Sequence, residues 1–304
     1  MNTLPCFPVV ATAGARRRAL RDALTRKGCL RAIEAHNPMC ALIAESARIG
    51  AGADGIEYDA FWSSSLTDST VRGKPDTGAL DIRYRLSNID EIFDVTTKPM
   101  IIDGDSGGHA EHFRMNVRTL ERLGVSAVII EDKVGLKRNS LLGNAVVQRQ
   151  EAIATFCDKI AQGKAAQLTE EFMIIARVES LVLDAGMDDA LRRAGAYVGA
   201  GADGIMIHSN RDAPTEILEF AARFRALHAA VPLVCVPTRH SAVPFGEFRR
   251  HRFNIVIYAN HLLRAAYPAM RDVALAILEH GRTLEAEAQC MPVEDMLGLI
   301  PGTR

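Results

Sequence analysis

Gly201-Ala-Asp-Gly-Ile-Met-Ile-His208 decides the fold. A helical pattern stops there on small residues, glycine accommodating the left-handed turn that ends a helix. The apolar run that follows has no polar face to offer water. The same unit occurs at Gly52-Ala-Asp-Gly55 before Ile56 and at Gly124-Val-Ser-Ala127 before Val128-Ile-Ile130. Comparable runs give eight candidate strands, at 31–35, 55–61, 99–103, 127–131, 172–178, 204–208, 231–236 and 254–258. Helical patterns fall between them at 38–50, 110–123, 148–162, 187–198 and 214–228. Alternation of this kind predicts a parallel sheet with right-handed crossovers, and eight rounds predict a closed α/β structure, a (β/α)8 TIM-type barrel. An open doubly wound sheet is the alternative, but no G-x-G-x-x-G follows the first strand to favour it. The 304 residues then form a single barrel domain, with an N-terminal helix over 12–26 and a C-terminal helical extension over 262–304.

Hydrophobic residues make up 48% and charged residues 24%, enough apolar surface for a large core and too much for a disordered or collagenous chain. Lys plus Arg total 36 against 37 for Asp plus Glu, so no bulk field draws the protein to nucleic acid or to an anionic membrane. The six cysteines form no C-x-x-C pair and read as reduced packing residues. Met1 to Val10 carries no basic n-region, and no apolar run approaches ~18 residues, so a cytoplasmic protein is expected. Arg16, Arg17 and Arg18 admit a transit-peptide reading, but Asp22 and the spacing of Leu20, Ala23 and Leu24 favour an ordinary first helix.

In a parallel barrel, chemistry gathers where the strands end. Polar residues stand there throughout: His36 and Asn37, Trp62 and Ser64, Asp103 and Asp105, Glu131 and Asp132, Arg177 and Glu179, His208 and Ser209, Thr238, and Asn260. Asp103-Gly-Asp105 groups hard oxygen donors suited to Mg2+ or Mn2+, and Glu131 with Asp132 could complete the shell. The competing reading is a set of helix caps. Glu131 to Ser140 is either a mobile lid carrying Lys137 and Asn139 over a phosphate or a solvated loop. Arg177 ends an apolar strand and needs an anion, either Glu179 or a phosphoryl group. Gly104-Asp-Ser-Gly-Gly108 matches the string around a serine-protease nucleophile, but it follows a strand of an alternating β/α chain and Ser106 has no assigned His partner. His109 and His112 have the spacing of a zinc pair or of two solvent-facing first-turn residues.

From about Cys29 to about Met270 the chain resembles the phosphoenolpyruvate mutases of the isocitrate lyase and phosphoenolpyruvate mutase superfamily. The resemblance rests on Trp62-Ser-Ser-Ser-Leu-Thr-Asp68, Gly73-Lys-Pro-Asp76, Asp103-Gly-Asp-Ser-Gly107, the Glu131-to-Ser140 loop, Ala176-Arg-Val-Glu179, Gly204-Ile-Met-Ile-His-Ser209 and Asn254-Ile-Val-Ile-Tyr-Ala-Asn260. It implies that Asp103 anchors Mg2+, with Asp105, Glu131 and Lys133 in support. Ser64, Ser65 and Leu66 would hold the substrate carboxylate beneath Trp62, with Ser140 also at the substrate. Arg177 and His208 would grip the phosphoryl group, Lys137 and Asn139 would close over it, and Asp76 would sit beside the migrating phosphorus.

The reaction implied moves a phosphoryl group between the enol oxygen of phosphoenolpyruvate and C3, giving phosphonopyruvate, the carbon–phosphorus bond-forming step of phosphonate biosynthesis. Its equilibrium favours phosphoenolpyruvate, which implies a neighbouring enzyme, such as a decarboxylase, that consumes phosphonopyruvate. Phosphonopyruvate hydrolases share most of these motifs but carry Thr at the place of Asn139, and the superfamily's carbon–carbon lyases carry a lid cysteine that is missing between Glu131 and Ser140. Hydrolysis of phosphonopyruvate or a related 2-oxo acid is therefore the alternative, followed by a non-catalytic binding barrel. Ser65 stands where many mutases have Gly, Ser106 where Thr is usual, and Gly135-Leu136 where several have Phe-Pro. The resemblance also implies a homodimer or homotetramer built by exchange of the last barrel helix.

Overall fold

The apolar runs become eight parallel strands: β1 (Leu30–Glu34), β2 (Ala60–Ser63), β3 (Met100–Asp103), β4 (Ala127–Glu131), β5 (Met173–Val178), β6 (Gly204–Ile207), β7 (Leu233–Cys235) and β8 (Ile255–Tyr258). The computed structural model describes residues 9–52 and 55–303 and closes these strands into one barrel in sequence order, β1 pairing with both β2 and β8. Residues 1–8, with Cys6 and most of the leader reading, lie outside the described residues, as do Ala53 and Asp54 of the first helix stop, and Arg304.

Strand side chains alternate, so each strand feeds two cores. Ile101, Ile129, Met173, Ile175 and Met206 fill the barrel, and Leu20 and Ala23 of α1 (Ala13–Lys27) close its lower end. Arg16, on the same helix, is buried. It donates to the Lys98 carbonyl at 2.7 Å and lies 4.0 Å over the Phe93 ring, which ties the helix to the chain between Phe93 and Lys98. The outer layer packs β-strands against α2 (Pro38–Ser46), α3 (Ser65–Thr70), α4 (Ile82–Phe93), α5 (Ala110–Leu123), α6 (Ile153–Ala166), α7 (Met187–Gly199), α8 (Thr215–Leu227) and α9 (Phe245–Arg250). Beyond β8 come α10 (His261–His280) and α11 (Val293–Leu299). Among the described residues no helix is long and apolar enough to cross a membrane.

Two expected elements change. The run at 55–61 divides, because Ile56–Glu57 pairs antiparallel with Arg48–Ile49 and only Ala60 onward joins the barrel; this also ends α2 at Ser46. The helix expected from 148 starts at Ile153, because Arg149–Gln150 pairs with Lys133–Val134 in a second hairpin.

Gly163 marks how tightly α6 sits on the barrel. A Cβ there would lie 2.9 Å from Ile174 Cδ1 and closer still to the Phe113 ring. Overpacking of this kind costs ~1–3 kcal/mol, partly offset by the better helix propensity of alanine. Gly163→Ala is expected to lower the urea midpoint by the equivalent of about 1–2 kcal/mol; an unchanged midpoint would show that α6 can slide.

Candidate active site

The loop after β3 is fixed first. A Cβ on Gly104 would fall 2.7 Å from Val128 Cγ2, so only glycine lets Asp103 and Asp105 flank this approach to β4. Asp105 takes φ of 53°, a left-handed conformation that Asp tolerates better than most residues, and its N–H donates to Asp103 Oδ1 at 3.1 Å. The cap of α5 is His109, so Asp103 and Asp105 are not helix caps. His112 is exposed on that helix, and its only ring neighbour in the pair is His109, edge to face.

Asp103 is buried, and its second oxygen accepts from the Ser65 hydroxyl at 2.7 Å. Burial alone would raise its carboxyl, but Lys137, Arg177 and Arg85 hold it well below the carboxylate range. Glu131 differs. Burial, with Glu179 nearby, pushes it up to about 7 against the pull of Arg177 and Lys133.

The loop between the hairpin strands folds down over this floor. Lys137 Nζ stands 2.6 Å from Asp76 Oδ1 and also contacts Asp105 and Ser65; Asn139 Nδ2 donates to Asp76 Oδ2 at 3.0 Å. Asp103, Asp105 and Asp76 raise the ammonium far above its ordinary value despite burial. Lys133 supports the fold from below, donating to the Arg138 carbonyl and to the Ser140 hydroxyl, both at 2.8 Å.

Across the mouth, Arg177 on β5 is ion-paired to Glu179 and lies 3.3 Å from Glu131 Oε2, with Nη2 donating to Ser140 Oγ at 2.5 Å. His208 Nδ1 accepts from the same Nη2 at 2.9 Å, which leaves its proton on Nε2. Burial and the guanidinium push this imidazole below its ordinary range, so it is neutral at pH 7. Arg177 therefore meets one of its two expected anions, Glu179, and also borders a cavity.

That cavity measures about 60 Å³ and is lined by the site residues that the family resemblance implies, except Asp105, which lies against Lys137, and Lys133. Met206, Val236, Leu141, Thr238 and Asn260 also stand in the wall. Asp132 does not join it. Its oxygens accept from the Glu179 N–H at 3.0 Å and the Tyr197 hydroxyl at 2.7 Å on the opposite side of the strand. His36 is also turned away, sandwiched between Glu34 and Cys40 Sγ, and Asn37 caps α2. Ser209 donates to Glu216 at 2.8 Å.

Arg85 went unpredicted, since a lone arginine on an amphipathic helix gives no signal. Fully buried, it donates to Asp68 at 2.9 Å, to the Ser63 carbonyl at 3.0 Å and to the Asp103 carbonyl, tying the β2 and β3 ends together.

The donor set suits a hard cation: three carboxylates, no thiolate and no imidazole. Among the described residues no three His, Cys, Asp or Glu side chains form a ready-made cage. The Lys137 ammonium lies against Asp105 and near Asp103 as a stand-in positive charge. One or two of these carboxylates, with water and substrate oxygens filling the rest of the shell, would suffice for a cation such as Mg2+.

Residues 20–278 match the model of the family described as phosphoenolpyruvate phosphomutase. A phosphonopyruvate hydrolase of Variovorax sp. (strain Pal2) is 36% identical over 286 residues, covering 93% of each chain. The crystal structure of a phosphoenolpyruvate phosphomutase from Streptomyces platensis subsp. rosaceus superposes with a TM-score of 0.84 at 34% identity, covering 95% of each chain. A phosphonopyruvate hydrolase in complex with oxalate and Mg++ superposes at 0.82 with 33% identity, again over 95% of each. With its barrel, its strand-end carboxylates and a match spanning most of its length, the chain belongs to the phosphoenolpyruvate phosphomutase family of enzymes.

Proposed function

We propose that the protein is a cytoplasmic phosphoenolpyruvate mutase, interconverting phosphoenolpyruvate and phosphonopyruvate by intramolecular phosphoryl transfer with Mg2+ or Mn2+ as cofactor. The observation that carries the reading is the closed loop: Lys137 and Asn139 converge on Asp76 above a cavity of about 60 Å³ walled by Arg177 and His208. A loosely bonded phosphoryl group needs fixed positive charge and exclusion of water more than covalent help.

In the forward direction the bond from phosphorus to the enol oxygen breaks, and the electron pair of the enolate forms the bond from C3 to phosphorus. No proton is gained or lost by carbon, so the site requires no base at C3. Ser64 and the backbone of Ser65 and Leu66 receive the carboxylate, the first turn of α3 having no side-chain cap of its own. Arg177 and the Nε2–H of neutral His208 hold phosphoryl oxygens, while Lys137 and Asn139 cover them and Asp76 flanks the phosphorus. Asp103, Asp105 and Glu131 would hold the metal, with Ser140, which accepts from Arg177 Nη2, also at the substrate. When bound, the cation supplies positive charge to the substrate's carboxyl and enol oxygens.

Phosphonopyruvate hydrolysis is the second reading, favoured by the 36% identity to the Variovorax enzyme. Asn139 in place of Thr argues for the mutase. Phosphorus NMR of the enzyme with phosphonopyruvate and Mg2+ separates the two: the mutase converts the phosphonate signal to that of phosphoenolpyruvate, whereas inorganic phosphate as the first product contradicts it. The expected neighbour is an enzyme that consumes phosphonopyruvate, such as a decarboxylase. The cytoplasmic assignment is supported by five free cysteines among the described residues.

A homodimer or homotetramer is the expected assembly. It is supported by α10, which buries no residue although Tyr267, Met270, Leu275 and Leu278 give it apolar surface. Light scattering giving a monomer would contradict it.

A further inference from the structure

We propose that the Ser65 side chain is a positioning residue that fixes the loop lysine Lys137 in the closed geometry. The proposal deepens the reading of residues 131–140 as a lid over a phosphoryl site and rests on that reading. Ser65 is buried at the start of α3, and its hydroxyl lies between two charged groups drawn from different parts of the chain. It donates to Asp103 Oδ2 at 2.7 Å and accepts from Lys137 Nζ. A hydroxyl has one proton and two lone pairs, so it can make both bonds at once.

Lys137 has two other partners, Asp76 and Asp105. A carboxylate attracts an ammonium over a broad range of directions, whereas a buried hydroxyl lone pair admits one. Asp105 is also the most solvent-accessible of the three partners, its side chain 32% exposed. The Ser65 hydroxyl therefore sets where the ammonium stops, and it joins the lid to the carboxylate on β3. Ser65 contributes to the proposed carboxylate site through its backbone, which leaves the side chain free for this role.

The test is amide hydrogen exchange across 134–140, with neither metal nor substrate present. Losing a hydrogen bond to a charged group is expected to accelerate lid exchange about tenfold in Ser65→Ala and in Ser65→Gly. In a Lys137→Met background, Ser65→Ala is expected to add less than twofold, because the two residues act through one contact. Unchanged exchange in both single variants would overturn the proposal. So would the full tenfold acceleration without Lys137, which would mean that Ser65 acts only on the packing of α3. The exchange result does not depend on which product forms, so inorganic phosphate in the NMR experiment would overturn the mutase reading and leave this one standing.

Discussion

Arg177→Met is expected to abolish turnover, by at least ~10³-fold, and to destabilise the protein in the same step. Burial would weaken a lone guanidinium, yet Glu179, Glu131 and Asp103 together hold Arg177 above its ordinary range, so it is charged at every pH at which the protein folds. Removing it leaves two carboxylates, Glu131 and Glu179, sharing Lys133 in a region almost closed to water. Breaking a buried pair by deleting one partner costs ~3–5 kcal/mol, because the remaining charge keeps its desolvation penalty. The same change removes the fork that faces the cavity and the donor to His208 Nδ1. Arg177→Lys keeps a charge but not the planar fork and is expected to recover stability more than rate. Urea denaturation and a turnover assay on the same preparations check this. A stable, fully active Arg177→Met protein would remove Arg177 from the chemistry.

Lys137→Met is expected to separate rate from stability. The lysine bears on three carboxylates from a loop, and Asp105 beside it is partly open to solvent, so the charges it leaves can rehydrate when the loop lifts. Loss of one fixed donor at a developing charge typically lowers kcat by ~10²–10³-fold. A drop of that size with a thermal midpoint near that of the parent protein is the expected pair of results. Turnover within twofold of the parent would mean that the loop is a cover without chemical function.

The barrel was legible because its strands are buried on both faces: Met173–Val178 and Ile255–Tyr258 have no polar stripe, and eight such runs alternating with helices suit a closed barrel. The site was legible for the same reason, since Asp103, Glu131, Arg177 and His208 stand where the apolar runs stop. Asp132 could also have been excluded. Neighbouring strand residues point to opposite faces, so once Glu131 faces the cavity Asp132 faces the helices and Tyr197.

The hairpins were not legible. Ile56–Glu57 reads as well for the barrel strand as for its actual partner Arg48–Ile49, and what divides the run is tertiary: Asp59 turns aside to accept the Arg31 N–H at 2.8 Å. Arg85 was invisible because its role exists only once α4 packs beneath the β2 and β3 ends. The lid and the solvated loop could not be told apart by composition, because the difference lies in the contact of Lys137 and Asn139 with Asp76, more than sixty residues earlier.

In the proposed mutase reaction one phosphoryl group travels between two atoms of a single substrate inside a closed cavity. Phosphonopyruvate labelled with 18O in its phosphoryl group and 13C in its carbon chain, mixed with unlabelled material and converted to phosphoenolpyruvate, tests it by mass spectrometry. Product that is either doubly labelled or unlabelled is predicted. Product carrying one label without the other, or oxygen from water in the phosphoryl group, would contradict it.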